Sequence, residues 1–281
     1  MKDGKGIIVK KDNTLVTAAY ALGLAEQRMV LLAAATANSG NDPLSGLTLS
    51  AEQYAAAYKV TKQTAYEALK EACETLFERR ITLYQNDKKT MTRWVSFVTY
   101  KEGEGAVELG FSPVIMPLFN NLQERFTVYA LEQIADLTSI HAVRLYELLI
   151  QWRSTLKTPF FELEKFRETL GIEPSEYPRM TNFKQKVLDV AVKQINERTD
   201  ILVQYEQHKK GRKIIGFSFS FKLKNAPKKV ATTKPKRKQI TKREAEQMAR
   251  PGESWPQLLD RLKGEYWITD LESKPDTSDE G

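Results

Sequence analysis

The stretch Asn182–Phe221, NFKQKVLDVAVKQINERTDILVQYEQHKKGRKIIGFSFSF, decides the fold, because its hydrophobic period changes midway. Over Asn182–Arg198 the residues Phe183, Val187, Val190, Ala191 and Ile195 recur at helical spacing, which predicts a long helix with one inward stripe. From Ile201 the period becomes two. Ile201–Gln207 and Ile214–Phe221 predict paired strands around the basic turn KKGRK at 209–213. Upstream, Ser139 predicts the cap of a helix holding Val143, Leu145, Leu148, Leu149 and Trp152. A short helix follows near Glu162–Leu170, closed by Gly171 and Pro174. Helix, helix, helix, hairpin is the order of a winged-helix domain.

The same order stands earlier in the chain. Thr61 predicts the cap of a helix with Ala65, Leu69, Ala72, Cys73, Leu76 and Phe77 on one face. A shift of 118 residues lays Ala65, Leu69, Ala72, Cys73 and Phe77 over the five inward positions of the later helix. Before it, Thr17 predicts the cap of a helix running through Leu22, Leu24, Met29, Leu31 and Leu32 to about Ala37. Asn38–Gly46 then reads as loop, and Ser50 with Gln53 as a capping box before a short helix ending near Tyr58. After it, Ile81–Gln85 and Thr92–Tyr100 predict strands around Asn86–Thr90, with Ala106–Phe111 a third. Two amphipathic helices always align, but a hairpin after each makes duplication the simpler account. The expected fold is therefore α+β: two tandem winged-helix domains, residues 1–135 and 136–224, each with its own core, and a tail, 225–281.

Charge is divided unevenly along the 281 residues, whose net is +7. Residues 225–250 carry +7 and residues 251–281 carry −5, leaving +5 on residues 1–224. The tail is expected to be flexible and largely disordered, because Lys, Pro, Thr and Gln dominate it through residue 240. One apolar cluster, Trp255, Leu258, Leu259, Leu262, Tyr266 and Trp267, is too short for a domain and suits a docking helix. No run nears the roughly 18 apolar residues of a membrane span, and the N-terminus lacks a secretory pattern. The single cysteine, Cys73, falls on an apolar helix face, which fits core packing and a reducing cytoplasm. The chain has no Gly-rich phosphate loop, no Cys/His cluster and no His-x-His pair; His141 and His208 stand far apart. These absences favour a protein without catalytic residues, cofactor or metal. A positive, cytoplasmic chain of this fold has double-stranded DNA as its expected partner, with no membrane.

The two candidate recognition helices differ in their outward faces. The first shows Gln63, Glu67, Glu71, Glu74 and Glu78, and glutamates repel a duplex bearing one charge about every 1.7 Å. Only its start, with Lys59, Lys62, Gln63 and Thr64, suits phosphate. The second shows Asn182, Gln185, Lys186, Asp189 and Lys193, with Arg179 just ahead. Asn and Gln pair with adenine, Arg and Lys with guanine, and Asp accepts from cytosine. Base reading is thus expected from Arg179, Asn182, Gln185, Lys186 and Asp189. Phosphate contact is expected from Lys184, Lys193 and the tip residues Lys209, Lys210, Arg212 and Lys213. For the helix alone a solvated polar face explains the same residues; the basic tip beside it favours DNA.

The run Tyr177-Pro-Arg-Met-Thr-Asn-Phe-Lys-Gln-Lys-Val187, then Ile195-Asn-Glu-Arg-Thr199, resembles the iteron-binding initiators of theta-replicating plasmids, the F-factor type among them. Leu15–Tyr20, Leu122–Thr127, Arg144-Leu-Tyr-Glu147 and Lys209–Arg212 extend the resemblance over about residues 10–223. It implies two winged-helix domains, of which the C-terminal one reads bases and the N-terminal one forms the dimer interface with peripheral DNA contact. Monomers would bind each iteron and promote origin opening with the host initiator and replicative helicase. Homodimers would bind an inverted-repeat operator and repress the gene. Arg179 matches a base-contacting arginine, while Gln185 and Lys186 stand where arginines occur in the F-factor type, so a different iteron sequence is expected. A sequence-specific transcriptional repressor without initiator activity would use the same surface, and a nicking enzyme is disfavoured by the missing histidine pair.

Overall fold

The computed structural model describes residues 6–37, 46–120, 126–224, 238–250, 253–262 and 266–269. The expected loop at 38–45, the Leu122–Thr127 motif up to residue 125, and tail segments 225–237 and 270–281 lie outside the described residues.

Strand β1 (Ile8–Asp12) leads into a four-residue helix, α1 (Asn13–Val16), capped by the Asp12 carboxylate, which accepts from the Thr14 N–H at 2.7 Å. Thr17 does not start the next helix. It closes α1 through its hydroxyl on the Asn13 carbonyl, and α2 (Leu24–Ala37) begins seven residues later. The intervening segment is held extended because Ala19 bridges Thr82 in a later strand. Strand β2 (Leu47–Ser50) ends in the capping box of α3 (Ala51–Tyr58), with both Ser50–Gln53 bonds present, and Thr61 caps α4 (Lys62–Glu78). Ala65, Leu69, Ala72, Cys73 and Leu76 are buried as expected, and burial lifts the Cys73 thiol to about 12. Phe77, expected inside, is exposed beneath the Arg93 guanidinium, which also takes the Phe77 carbonyl.

Two hairpins follow α4. Strands β3 (Arg80–Gln85) and β4 (Lys88–Arg93) pair around Asn86 and Asp87, both left-handed as a two-residue hairpin turn requires. The expected strand 92–100 breaks at Trp94, which is fully buried edge-on against Tyr20, and the chain crosses there into a second sheet. That sheet has the order β2–β6–β5, from β5 (Val95–Lys101) and β6 (Ala106–Phe111). After α5 (Pro117–Asn120), strand β7 (Phe126–Ala130) pairs back onto β1.

The second half repeats the plan. Ser139 caps α6 (Ile140–Ile150), β8 (Phe161–Glu162) leads into α7 (Leu163–Thr169), and α8 (Met180–Phe183) opens the long helix. Lys184–Leu188 form one π turn before α9 (Asp189–Arg198). The wider turn shifts the helical phase, so Leu188 is buried and Val190, expected inside, is 37% exposed. Strands β9 (Ile201–Lys210) and β10 (Lys213–Leu223) complete a sheet of order β8–β10–β9. Gly216 lies where β8 crosses β10; a Cβ there would meet the Phe161 carbonyl at 2.1 Å.

The equivalent sheet orders identify β5–β6, not β3–β4, as the counterpart of β9–β10. The hairpin directly after α4 is an addition. Both halves are winged helices, yet among the described residues one apolar core runs from Val9 to Phe221 in place of two separate ones, and the described residues up to 224 form one compact unit.

Of the 57 tail residues expected to be largely disordered, the 27 described ones form a second unit. Strand β11 (Lys238–Thr241) runs parallel to β12 (Tyr266–Thr269), with α10 (Lys242–Gln247) and α11 (Trp255–Leu262) between them in the chain. A Thr241–Glu244 capping box starts α10, and Ala245, Leu258 and Leu262 are buried among Ile240, Trp255, Tyr266 and Ile268. Of the cluster expected to form a docking helix, Trp255, Leu258, Leu262 and Tyr266 thus pack within their own unit.

Candidate nucleic-acid interface

The start of the α8–α9 helix is built by a residue the sequence did not single out. Arg167 of α7 is buried, lies 5.0 Å from the Phe183 ring and donates to the carbonyls of Glu176 and Tyr177. Those bonds hold the loop ahead of the helix, where Tyr177 adopts φ 44°. Arg179 follows as the N-cap residue, exposed, with its carbonyl taken by the Phe183 N–H. Replacing Arg167 by Met should leave two carbonyls without a buried donor and cost about 1–3 kcal/mol in chemical denaturation. DNA affinity should fall with it while the preferred bases stay the same.

The far end is equally fixed. Gln194 accepts from the Thr138 and Ser139 N–H groups, and Asn196 exchanges two hydrogen bonds with Val203 of β9. Between these anchors the outward residues divide into free and engaged. Arg179, Gln185 and Lys186 are exposed and, among the described residues, make no side-chain hydrogen bond or ion pair. Asn182 is half-buried. Asp189 is exposed but accepts from the Tyr205 hydroxyl at 2.7 Å, and burial together with that carboxylate pushes the phenol well up. Lys184 is half-buried and donates to Gln207 at 3.1 Å over the Tyr205 ring, so it ties the helix to β9 instead of standing free for phosphate. Lys193 is exposed, 4.0 Å from Glu197. Lys209, Lys210, Arg212 and Lys213 are all exposed at the β9–β10 tip, where Gly211 takes φ 63°.

The first half presents the opposite chemistry. Its wing, the β5–β6 turn, carries exposed Glu102 and Glu104, and α4 exposes Glu67, Glu71, Glu74 and Glu78. At the start of α4, Lys62 is exposed, Gln63 donates to Glu67 at 2.6 Å, and Thr64 bonds Thr61. Lys59 is exposed and paired with Asp136 at 3.1 Å. The sequence therefore placed these residues correctly on the surface, but only Lys62 has no such partner.

Among the described residues no cluster of His, Cys, Asp and Glu could hold a metal, and no helix is long and apolar enough to cross a membrane. Residues 8–150 match the family described as Initiator Replication protein, WH1, and residues 162–221 match Initiator Rep protein, WH2. Similar proteins include a 27.6 kDa protein of Escherichia coli, 25% identical over 79% of this chain and 97% of its own. The PI protein of Escherichia coli is 27% identical over 71% of this chain and 77% of its own. Among solved structures, that of Pi initiator protein in complex with iteron DNA is similar at a TM-score of 0.63 and 25% identity, covering 79% of this chain and 99% of that one. The matched ranges end at residue 221, before the C-terminal unit begins. This chain belongs to the initiator replication protein family, a group of DNA-binding initiators, and carries both of its winged-helix domains, WH1 and WH2, in order.

Proposed function

We propose that this chain is a plasmid replication initiator that binds iteron repeats at the origin. WH2 reads the bases, and the WH1 surface contacts DNA peripherally. The observation that carries the reading is the juxtaposition of three unpartnered side chains, Arg179, Gln185 and Lys186, with a four-cation wing tip. A helix start of that kind fits the major groove and a wing of that charge fits the phosphates beside it. The likeness to a Pi initiator crystallised with iteron DNA supports the same reading. On this account monomers occupy iterons, open the origin and engage the host initiator and replicative helicase, while homodimers joined through WH1 repress the gene. Footprinting the full chain on the DNA beside its own gene should protect direct repeats. Protection of an inverted repeat alone would instead make it a repressor.

The C-terminal segment adds affinity without sequence information on this account. Residues 225–250 carry +7, and each phosphate neutralised contributes about 0.9 to the slope of log affinity against log salt. Truncation after residue 225 should flatten that slope by several of these increments while the ranking of iteron variants survives. An unchanged slope would remove the segment from the DNA.

A further inference from the structure

A buried polar cluster centred on α6, the last helix of the WH1 match, joins the body of WH1 to the start of WH2. Glu147 accepts from Lys11 Nζ of β1 at 2.7 Å and from the Tyr129 hydroxyl of β7 at 2.7 Å; Lys11 and Glu147 are both wholly buried. One turn earlier, Arg144 donates to the Ala18 carbonyl at 2.8 Å and to the Tyr20 hydroxyl, both in WH1. The same guanidinium donates to the Thr169 carbonyl at 2.8 and 3.1 Å, at the end of α7, and lies 3.9 Å from the centre of the Tyr20 ring. One residue of α6 therefore grips WH1 and the helix that precedes the recognition helix. A second contact fixes the same place. Gly171, at φ 77° in the loop after α7, lies so near WH1 that a Cβ would meet the Tyr20 carbonyl at 2.4 Å.

We propose that Arg144, braced by Glu147 and Lys11, is a positioning residue for site length: it sets the distance and angle between α8–α9 and WH1, and so the base-pair spacing the chain accepts. This rests on the reading that WH2 reads DNA and WH1 touches it. Two contacts on a loose joint are satisfied independently, whereas on a rigid joint they are satisfied only at one separation. An inserted base pair moves the second contact by about 3.4 Å along the axis and about a tenth of a turn around it. Lysine keeps the charge of Arg144 but has a single nitrogen, which cannot serve Ala18, Tyr20 and Thr169 in their separate directions.

The test uses the full chain, by fluorescence anisotropy, on three duplexes. These are a tandem repeat protected in the footprint, the repeat with one base pair inserted between the segments covered by WH2 and WH1, and a scrambled repeat. For the natural protein the insertion should weaken binding about tenfold, comparable to a mismatch. For Arg144→Lys that penalty should fall to about twofold, with preference over the scrambled duplex kept. General instability would weaken both repeats by one factor and leave their ratio unchanged. Lys11→Met/Glu147→Gln, which replaces the buried pair by neutral groups of similar size, should relax the ratio in the same direction, and circular dichroism identifies which variants are folded. An unchanged ratio in the folded variants, or no penalty in the natural protein, overturns the spacing role and leaves DNA reading standing. Failure of the natural protein to distinguish repeat from scrambled duplex overturns the reading itself, and the spacing role with it.

Discussion

Glu147→Ala is expected to destabilise the folded unit by about 3–5 kcal/mol, the cost of leaving a buried charge without its partner. Lys11, wholly inside the protein, loses a carboxylate at 2.7 Å, and the buried Tyr129 loses its acceptor. Arg144 loses one anion, at 3.5 Å, but keeps its carbonyls. Urea denaturation of the full chain measures the loss; one below about 1 kcal/mol would place the site within reach of water. The pH dependence has a definite sign. Burial opposes ionisation of Glu147, yet Lys11, Arg144 and the two hydrogen bonds hold its carboxyl below the ordinary glutamate range. A depressed folded value makes its stabilisation complete above the unfolded value of about 4.3 and lost as the pH falls through the lower folded one. Lys11→Met/Glu147→Gln should therefore show a shallower acid limb than the natural protein.

This cluster also explains which parts of the molecule were legible in the sequence. The caps at Ser50, Thr61 and Ser139 were readable because a cap and its helix lie within three residues. Thr17 misled because Asp12, five residues earlier, caps a shorter helix and a distant strand holds the next segment extended. The hairpin after α4 was matched to the wrong partner because pairing of β2 with β6 is a non-local fact. Val190 was placed inside because a π turn adds a residue that no α-helical count anticipates. The joint was least legible, since Glu147 meets Lys11 across 136 residues and Arg144 meets Ala18 across 126. The motif Arg144-Leu-Tyr-Glu147 stood out in the sequence with no role attached, and its two charged ends are the joint. A cut near residue 135 would strip Arg144 and Glu147 of Ala18, Tyr20, Lys11 and Tyr129.

Among the surface residues, outward direction was readable and engagement was not. Arg179, Gln185 and Lys186 stand free, whereas Asp189 and Lys184 are occupied by Tyr205 and Gln207 of β9. The strongest effects on base choice are therefore expected from the free three. Arg179→Ala, Gln185→Ala and Lys186→Ala should each lower discrimination by about 1–3 kcal/mol at one or two positions of the site. None of the three is buried, so melting temperatures should stay near that of the natural protein.

The most direct test compares Gln185→Ala with Lys213→Ala against a panel of single-base variants of the repeat. Gln185 projects from the helix and can pair with an adenine edge, whereas Lys213 sits at the wing tip, where phosphate carries no base identity. Gln185→Ala should lose preference at one position and bind the remaining variants in their original order. Lys213→Ala should weaken binding to every variant by about the same factor and reduce the salt slope by about 1. Uniform loss in Gln185→Ala together with a changed base preference in Lys213→Ala would contradict the assignment of the α8–α9 helix as the reader.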